Sequence, residues 1–212
     1  MGLLEVNLFS LTYLLAAGVF GILYYNLSKT KPKNPARIAY NRSMLAVAFW
    51  MFADFLEYSA TDPVHAELFL IAATLFTAIT LYFVLTAGLL LAGKNPRLIR
   101  YIPLIVAVIL APFFEVQPAV FTPFDDKFNL PLGLWLGLEF IFFIAFPAVL
   151  YLVRRRVSDK RLVRKLDSLI HSSVFVIFFT MLYYVYHLFV LLPPLTWVAV
   201  MGYAGFTYRV FK

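Results

Sequence analysis

Cysteine is absent from the chain, which excludes disulfides, thiolate metal sites and cysteine nucleophiles together. Charge is scarce as well: 14% of residues are Asp, Glu, Lys or Arg, against about a quarter in soluble domains. With 63% of 212 residues hydrophobic, this deficit excludes an ordinary soluble domain and predicts a membrane protein. Period-two alternation is missing and the apolar runs are continuous, so helices rather than barrel strands are expected to satisfy the backbone in lipid. The opening Met1-Gly2-Leu3-Leu4-Glu5 has neither a basic segment nor a small-residue cleavage site, so the first run reads as a retained helix, not a signal peptide. Val6 breaks the myristoylation pattern. No GxSxG, P-loop, Asp-rich prenyl-diphosphate motif or phospholipid-synthase pattern occurs, and neither an enzyme nor a cofactor is expected. His65, His171 and His187 are the only imidazoles and lack metal-site spacing, so no metal is expected either. No Lys lies in the last apolar run, which excludes a retinal Schiff base there. One glutamine, no cysteine and 12 prolines fit a heat-adapted source.

What is present is a succession of seven apolar runs, at about 3–27, 38–60, 64–92, 99–118, 132–153, 169–192 and 195–210, each near or beyond the ~17–25 residues that cross hydrocarbon as a helix. The expected fold is all-α, a polytopic bundle of seven transmembrane helices forming a single domain over 1–212. Seventeen of the 18 Lys and Arg residues fall in the segments 29–42, 94–100, 154–165 and 209–212, all on one side of that pattern. By the positive-inside rule these are cytoplasmic, so the amino terminus is expected outside and the carboxyl terminus inside. Lys127 alone lies outside. Of the 11 acids only Asp159 and Asp167 are on the inner side. The formal charge of +7 therefore divides into a basic inner face and an acidic remainder. That arrangement suits contact with anionic lipid headgroups and argues against nucleic acid. Arg154, Arg155, Arg156, Lys160, Arg161, Arg164 and Lys165 are the candidate contacts to lipid or to a partner protein. The expected location is the plasma membrane of a prokaryotic cell.

Helix ends and contacts are partly readable. The segment 154–168 is long enough to carry helices five and six into the cytoplasm, and the outer loop at 119–131, rich in Phe, is suited to folding back on the helix ends. Gly133 and Gly137 form a GxxxG step that permits close helix approach, with Ala17 and Gly21, and Gly202 and Gly205, as further thin places. Pro112 and Pro147 are expected to kink helices four and five.

Acids inside a spanning helix cost about 2.5–3.5 kcal/mol at its centre and need a proton or a partner. Glu139 lies near the middle of the fifth run, and Asp54 and Glu57 stand one turn apart in the outer half of the second. No Lys or Arg occupies a helix centre, so these carboxyls are expected to be protonated, water-exposed or bound to something cationic. Thr180, Tyr183, Tyr184 and His187 recur at three- and four-residue steps and share a face of the sixth run. Asp54, Glu57, Glu139, Tyr183 and His187 are thus candidates for a small-ligand site open to the outside. Interhelical hydrogen bonding is the plainer use of the same groups. A solute or proton-coupled transporter built on the three acids is the rival reading.

The run Asn41-Arg42-Ser43-Met44-Leu45-Ala46-Val47-Ala48-Phe49-Trp50-Met51-Phe52-Ala53-Asp54-Phe55, the turn Ser59-Ala60-Thr61-Asp62-Pro63 and the start Ala66-Glu67-Leu68-Phe69 resemble the seven-helix membrane sensor region found ahead of some histidine kinases. The resemblance covers nearly the whole chain in helix order and loop lengths. It implies helices running outside to inside, a longer outer loop after helix four, a basic inner loop after helix five, and no catalytic site. That family continues into a coiled coil and kinase, whereas this sequence stops at Lys212. The resemblance therefore implies a free-standing, non-enzymatic sensor or accessory subunit that acts through a ligand or a partner protein.

Overall fold

Asparagine, aspartate and proline set the helix starts. In the computed structural model, which describes residues 3–29, 34–94, 98–120, 122–189 and Gly202, α1 (Leu8–Ser28) is capped by Asn7, α2 (Pro35–Ser59) by Asn34, α3 (Pro63–Leu91) by Asp62 and α5 (Leu130–Arg154) by Asn129. Each cap side chain accepts a backbone N–H of the first turn, replacing a partner the helix cannot supply. Proline follows the cap in α2, α3 and α5, where its missing N–H costs nothing. At the other end of α3, Gly93 takes φ +67, and Gly93 and Lys94 donate back to Leu90 and Leu89, closing the helix in the left-handed way that suits glycine.

The remaining elements depart from seven plain helices. The fourth run, expected as one helix over 99–118, is a short α4 (Ile102–Leu110) between 3-10 turns at Leu98–Tyr101 and Ala111–Phe113. Pro112 lies in the second turn, and the chain leaves it extended. Glu115–Pro118 forms β1, which pairs antiparallel with β2 (Phe124–Lys127), Glu115 opposite Lys127 and Pro118 opposite Phe124. This hairpin corrects the all-α expectation. Pro112 and Pro118 are poor helix continuations, and pairing with 124–127 satisfies the backbone locally. The first helix starts at Leu8 rather than residue 3, since residues 3–5 are extended: Leu4 bridges Ala60, and Glu5 N–H donates to Ser59 O at 2.7 Å. The sixth helix, α6 (Lys160–Phe189), begins well before residue 169. Its basic first turns extend the apolar part, as the length of the 154–168 segment predicts.

The chain is thus mostly helical, and α1, α3 and α5 are long and apolar enough to cross a membrane. The other expected spans differ: α2 carries Arg37, Arg42, Asp54 and Glu57, α4 is short, and α6 has a basic first half. The seventh run, 195–210, lies outside the described residues apart from Gly202, which sits so closely under the Phe175 ring of α6 that no side chain would fit.

Packing centres on α3. One core cluster joins Phe9, Tyr13, Phe20 and Leu27 of α1 to Tyr40, Met44, Met51 and Tyr58 of α2, and reaches Val84 and Ala87 of α3, Phe146 and Leu150 of α5 and Leu166 of α6. A second joins Leu70, Ala78 and Leu81 of α3 to Ala107 of α4, Phe114, and Leu132, Trp135 and Phe142 of α5. Gly88 allows the α3–α5 contact, for a Cβ there would meet the Phe146 ring at 3.2 Å. The expected close approaches elsewhere are not made this way. Gly133 faces the Phe128 ring of the outer loop at 3.2 Å, while Gly137 and Gly21 have nothing within 4 Å.

Candidate functional site

The C-terminal end of α2 and the N-terminal half of α5 hold the buried acids. Among the described residues α2 packs mainly on α3 and α5 mainly on α6, and the stacked rings of Trp50 and Phe143, 6.4 Å apart, link α2 to α5. Glu57 is 1% exposed and Glu139 7%; Asp54 is half-buried. Each of two acids has a tryptophan one turn before it on its own helix, Trp50 before Asp54 and Trp135 before Glu139. An indole N–H can only donate, so each tryptophan offers its acid a neutral donor. The spacing i, i+4 puts donor and acceptor on one helix face. Sequence reasoning passed over both tryptophans as partners, although Trp four residues before an acid, twice, was the available signal.

The hairpin supplies what the helices lack. Strand β2 lies against α2 and α3 and brings Asp126 within electrostatic reach of Glu57. Asp126 also lies within electrostatic reach of Asp54 and Glu139, and Asp125, 8% exposed, within reach of Glu57. The hairpin's cation, Lys127, turns away to pair with Glu115 across the strands. The burial of Glu57 and Glu139 agrees with their places inside apolar runs; the nearness of Asp126 was not legible, because it depends on a hairpin inside a segment read as helix end and loop. Among the described residues, no group of three or more His, Asp or Glu is arranged to hold a metal ion.

The other half of the expected site cannot be placed beside it. Tyr183 and His187 belong to α6, but their side chains, like those of Thr180 and Tyr184, lie outside the described residues. His65, at the outer start of α3, pairs with the Asp62 cap. His171 Nδ1 bonds Asp167 O, at the inner end of α6.

At the opposite end of the bundle the basic residues divide in two. Arg154 is engaged internally, its Nε donating to Asp167 Oδ1 at 2.6 Å to tie α5 to α6, so it is a strut rather than a free contact. Arg155, Arg156, Lys160, Arg161 and Arg164 are exposed and Lys165 half-buried. The same end carries a set of tyrosine–cation contacts: Lys29 lies 4.3 Å from the Tyr25 ring, Arg100 lies 4.8 and 5.3 Å from Tyr101 and Tyr82, and Arg155 lies 5.9 Å from Tyr151. Amphipathic rings and snorkelling cations of this kind suit the headgroup level of a bilayer.

Comparison with family models, curated proteins and solved structures gives no match.

Proposed function

We propose that the chain is a seven-helix, multi-pass protein of a plasma membrane, amino terminus outside, that works without chemistry of its own as a sensor-like or accessory subunit. The observation that carries this reading is polarity along the bundle. Buried acids collect under the hairpin at one end, and exposed basic residues with their tyrosines collect at the other. A stimulus met at the acidic outer end would reach an inner face suited to anionic lipid or an acidic partner protein. The seven-helix sensor region found ahead of some histidine kinases is the scaffold that the helix order of the sequence resembles.

A second reading, a proton-coupled or small-solute transporter built on Asp54, Glu57 and Glu139, is favoured by one observation: Asp54 of α2 and Glu139 of α5 lie within electrostatic reach of each other. Glu139→Gln separates the two. In a sensor held together by hydrogen bonds the variant is close to silent, because an amide keeps the Trp135 contact, and both thermal stability and proton or solute uptake into proteoliposomes match the wild type. If uptake is present in the wild type and collapses in the variant while melting is unchanged, the transporter reading replaces the sensor.

A further inference from the structure

Arg100 is a cation without an anion. It stands in the 3-10 turn before α4 with its guanidinium 5.3 and 4.8 Å from the ring centres of Tyr82 and Tyr101. Its Nη2 donates to the Tyr101 hydroxyl at 2.9 Å, while its Nε is covered by protein and bonds to nothing. A half-buried guanidinium costs free energy that two rings offset only in part, and a counter-charge would offset the rest. The chain supplies none: among the described residues, neither Arg100 nor Arg42 is in an ion pair. Arg42 joins Arg100 from α2. The stacked rings of Phe49 and Phe76, 5.3 Å apart, set the register of α2 against α3. Arg42 lies two turns before Phe49 on the same helix face, and Tyr82 just under two turns after Phe76, so antiparallel packing brings Arg42 and Tyr82 to one level. Arg42 accordingly acts electrostatically on Tyr82. That level has a depth. Tyr82 stands 19 residues after Pro63, the outer start of α3, a rise of about 29 Å against about 30 Å of hydrocarbon. Both guanidiniums thus sit where acyl chain gives way to headgroup, and the Phe49–Phe76 stack lies about 10 Å deeper.

We propose that Arg100 and Arg42, with the Tyr101 hydroxyl, form a site for the phosphate of an anionic phospholipid whose acyl chains lie over Phe49 and Phe76. Arg100 keeps Nη hydrogens beyond the one given to Tyr101, and a guanidinium matches phosphate oxygens with paired N–H donors. The Tyr101 hydroxyl, having accepted from Arg100, keeps its own hydrogen to donate. Depth and the apolar wall decide between lipid and free phosphate. Phe49 is 47% exposed on the side where chains would run, so a lipid gains that contact and a free ion only the charges. This deepens the proposed reading by naming the lipid chemistry taken at its inner face, and the word inner rests on that reading.

The test titrates dioleoylphosphatidylglycerol or dioleoylphosphatidylcholine into the purified protein in detergent micelles and counts bound lipid by native mass spectrometry. The anionic lipid should be retained at concentrations where the zwitterionic one is lost, and excess inorganic phosphate should not displace it. Arg100→Gln should weaken its retention about tenfold or more, the scale of one charge-assisted pair. Arg42→Gln, a change to an exposed side chain, should weaken it too and serves if the first variant folds poorly. Arg156→Gln removes an exposed inner charge outside the site and should leave retention as in the wild type. Equal retention of the two lipids, or retention that survives both Arg100→Gln and Arg42→Gln, overturns the site. Equal losses in Arg100→Gln and Arg156→Gln also overturn it, reducing it to general attraction between a basic face and anionic lipid. Displacement by inorganic phosphate overturns the lipid assignment in favour of a free anion. Counting in detergent is blind to orientation and partners, so failure here leaves the sensor proposal standing, and an inverted topology leaves the site intact.

Discussion

Glycine positions separate close packing from mere small size. Gly88 and Gly137 look alike in sequence, each in an apolar helix, yet a Cβ at Gly88 meets Phe146 at 3.2 Å and one at Gly137 meets nothing within 4 Å. Gly88→Val is expected to push α3 from α5 and cost about 1–3 kcal/mol by overpacking. Gly137→Ala should be neutral or stabilise by about 0.5–1 kcal/mol, since alanine loses less backbone freedom in a helix. Thermal melting in detergent reads both; equal losses would mean that the α3–α5 contact is looser than its geometry. The tryptophans make a related point. Trp50 and Trp135 stand four residues before Asp54 and Glu139, so each places a neutral donor on the same helix face as an acid.

At the scale of the element, the starts of α2, α3 and α5 at Pro35, Pro63 and Leu130 lie close to the expected 38, 64 and 132, because Asn-Pro, Asp-Pro and Asn-Leu-Pro carry their cap chemistry locally. Asp62 illustrates it. Its carboxyl accepts from the Val64 and His65 N–H groups at 3.0 and 3.1 Å, and the His65 backbone bond, followed by that residue's side chain, holds it below the ordinary carboxylate range. A lowered value in the folded state means stabilisation that is complete above the unfolded carboxyl range and lost as pH falls through the folded value. Melting temperature should therefore drop on acidification more in the wild type than in Asp62→Asn, which keeps the cap oxygen but not the charge; identical acid profiles would show that the charge contributes nothing. The fourth run was misread for the opposite reason. Its apolar residues continue to Val116, but Pro112 and Pro118 and a partner strand beyond position 120 decide its end, and hydropathy registers none of them. The start of α6 was hidden by its charges, although its length was implied by the 154–168 segment.

For the whole molecule, the asymmetric distribution of Lys and Arg is the feature sequence conveyed most directly, and the acid cluster only in part, since one of its members arrives on a hairpin. The orientation is testable in the cysteine-free chain. A cysteine at Leu3 should react with an impermeant maleimide added outside intact cells, and one at Ser158, exposed between α5 and α6, only after lysis; the reverse pattern would invert the topology. The bridge between Leu4 and Ala60 adds a consequence in time. About 56 residues separate its halves, so at about 5–20 residues per second the segment before α1 waits about 3–11 seconds for its partner to leave the ribosome. Through that interval α1 has a loose outer end, and the bridge can form only after α2 has entered beside it. The bridge thus makes the segment before α1 and the end of α2 close together, at the α2–α3 turn.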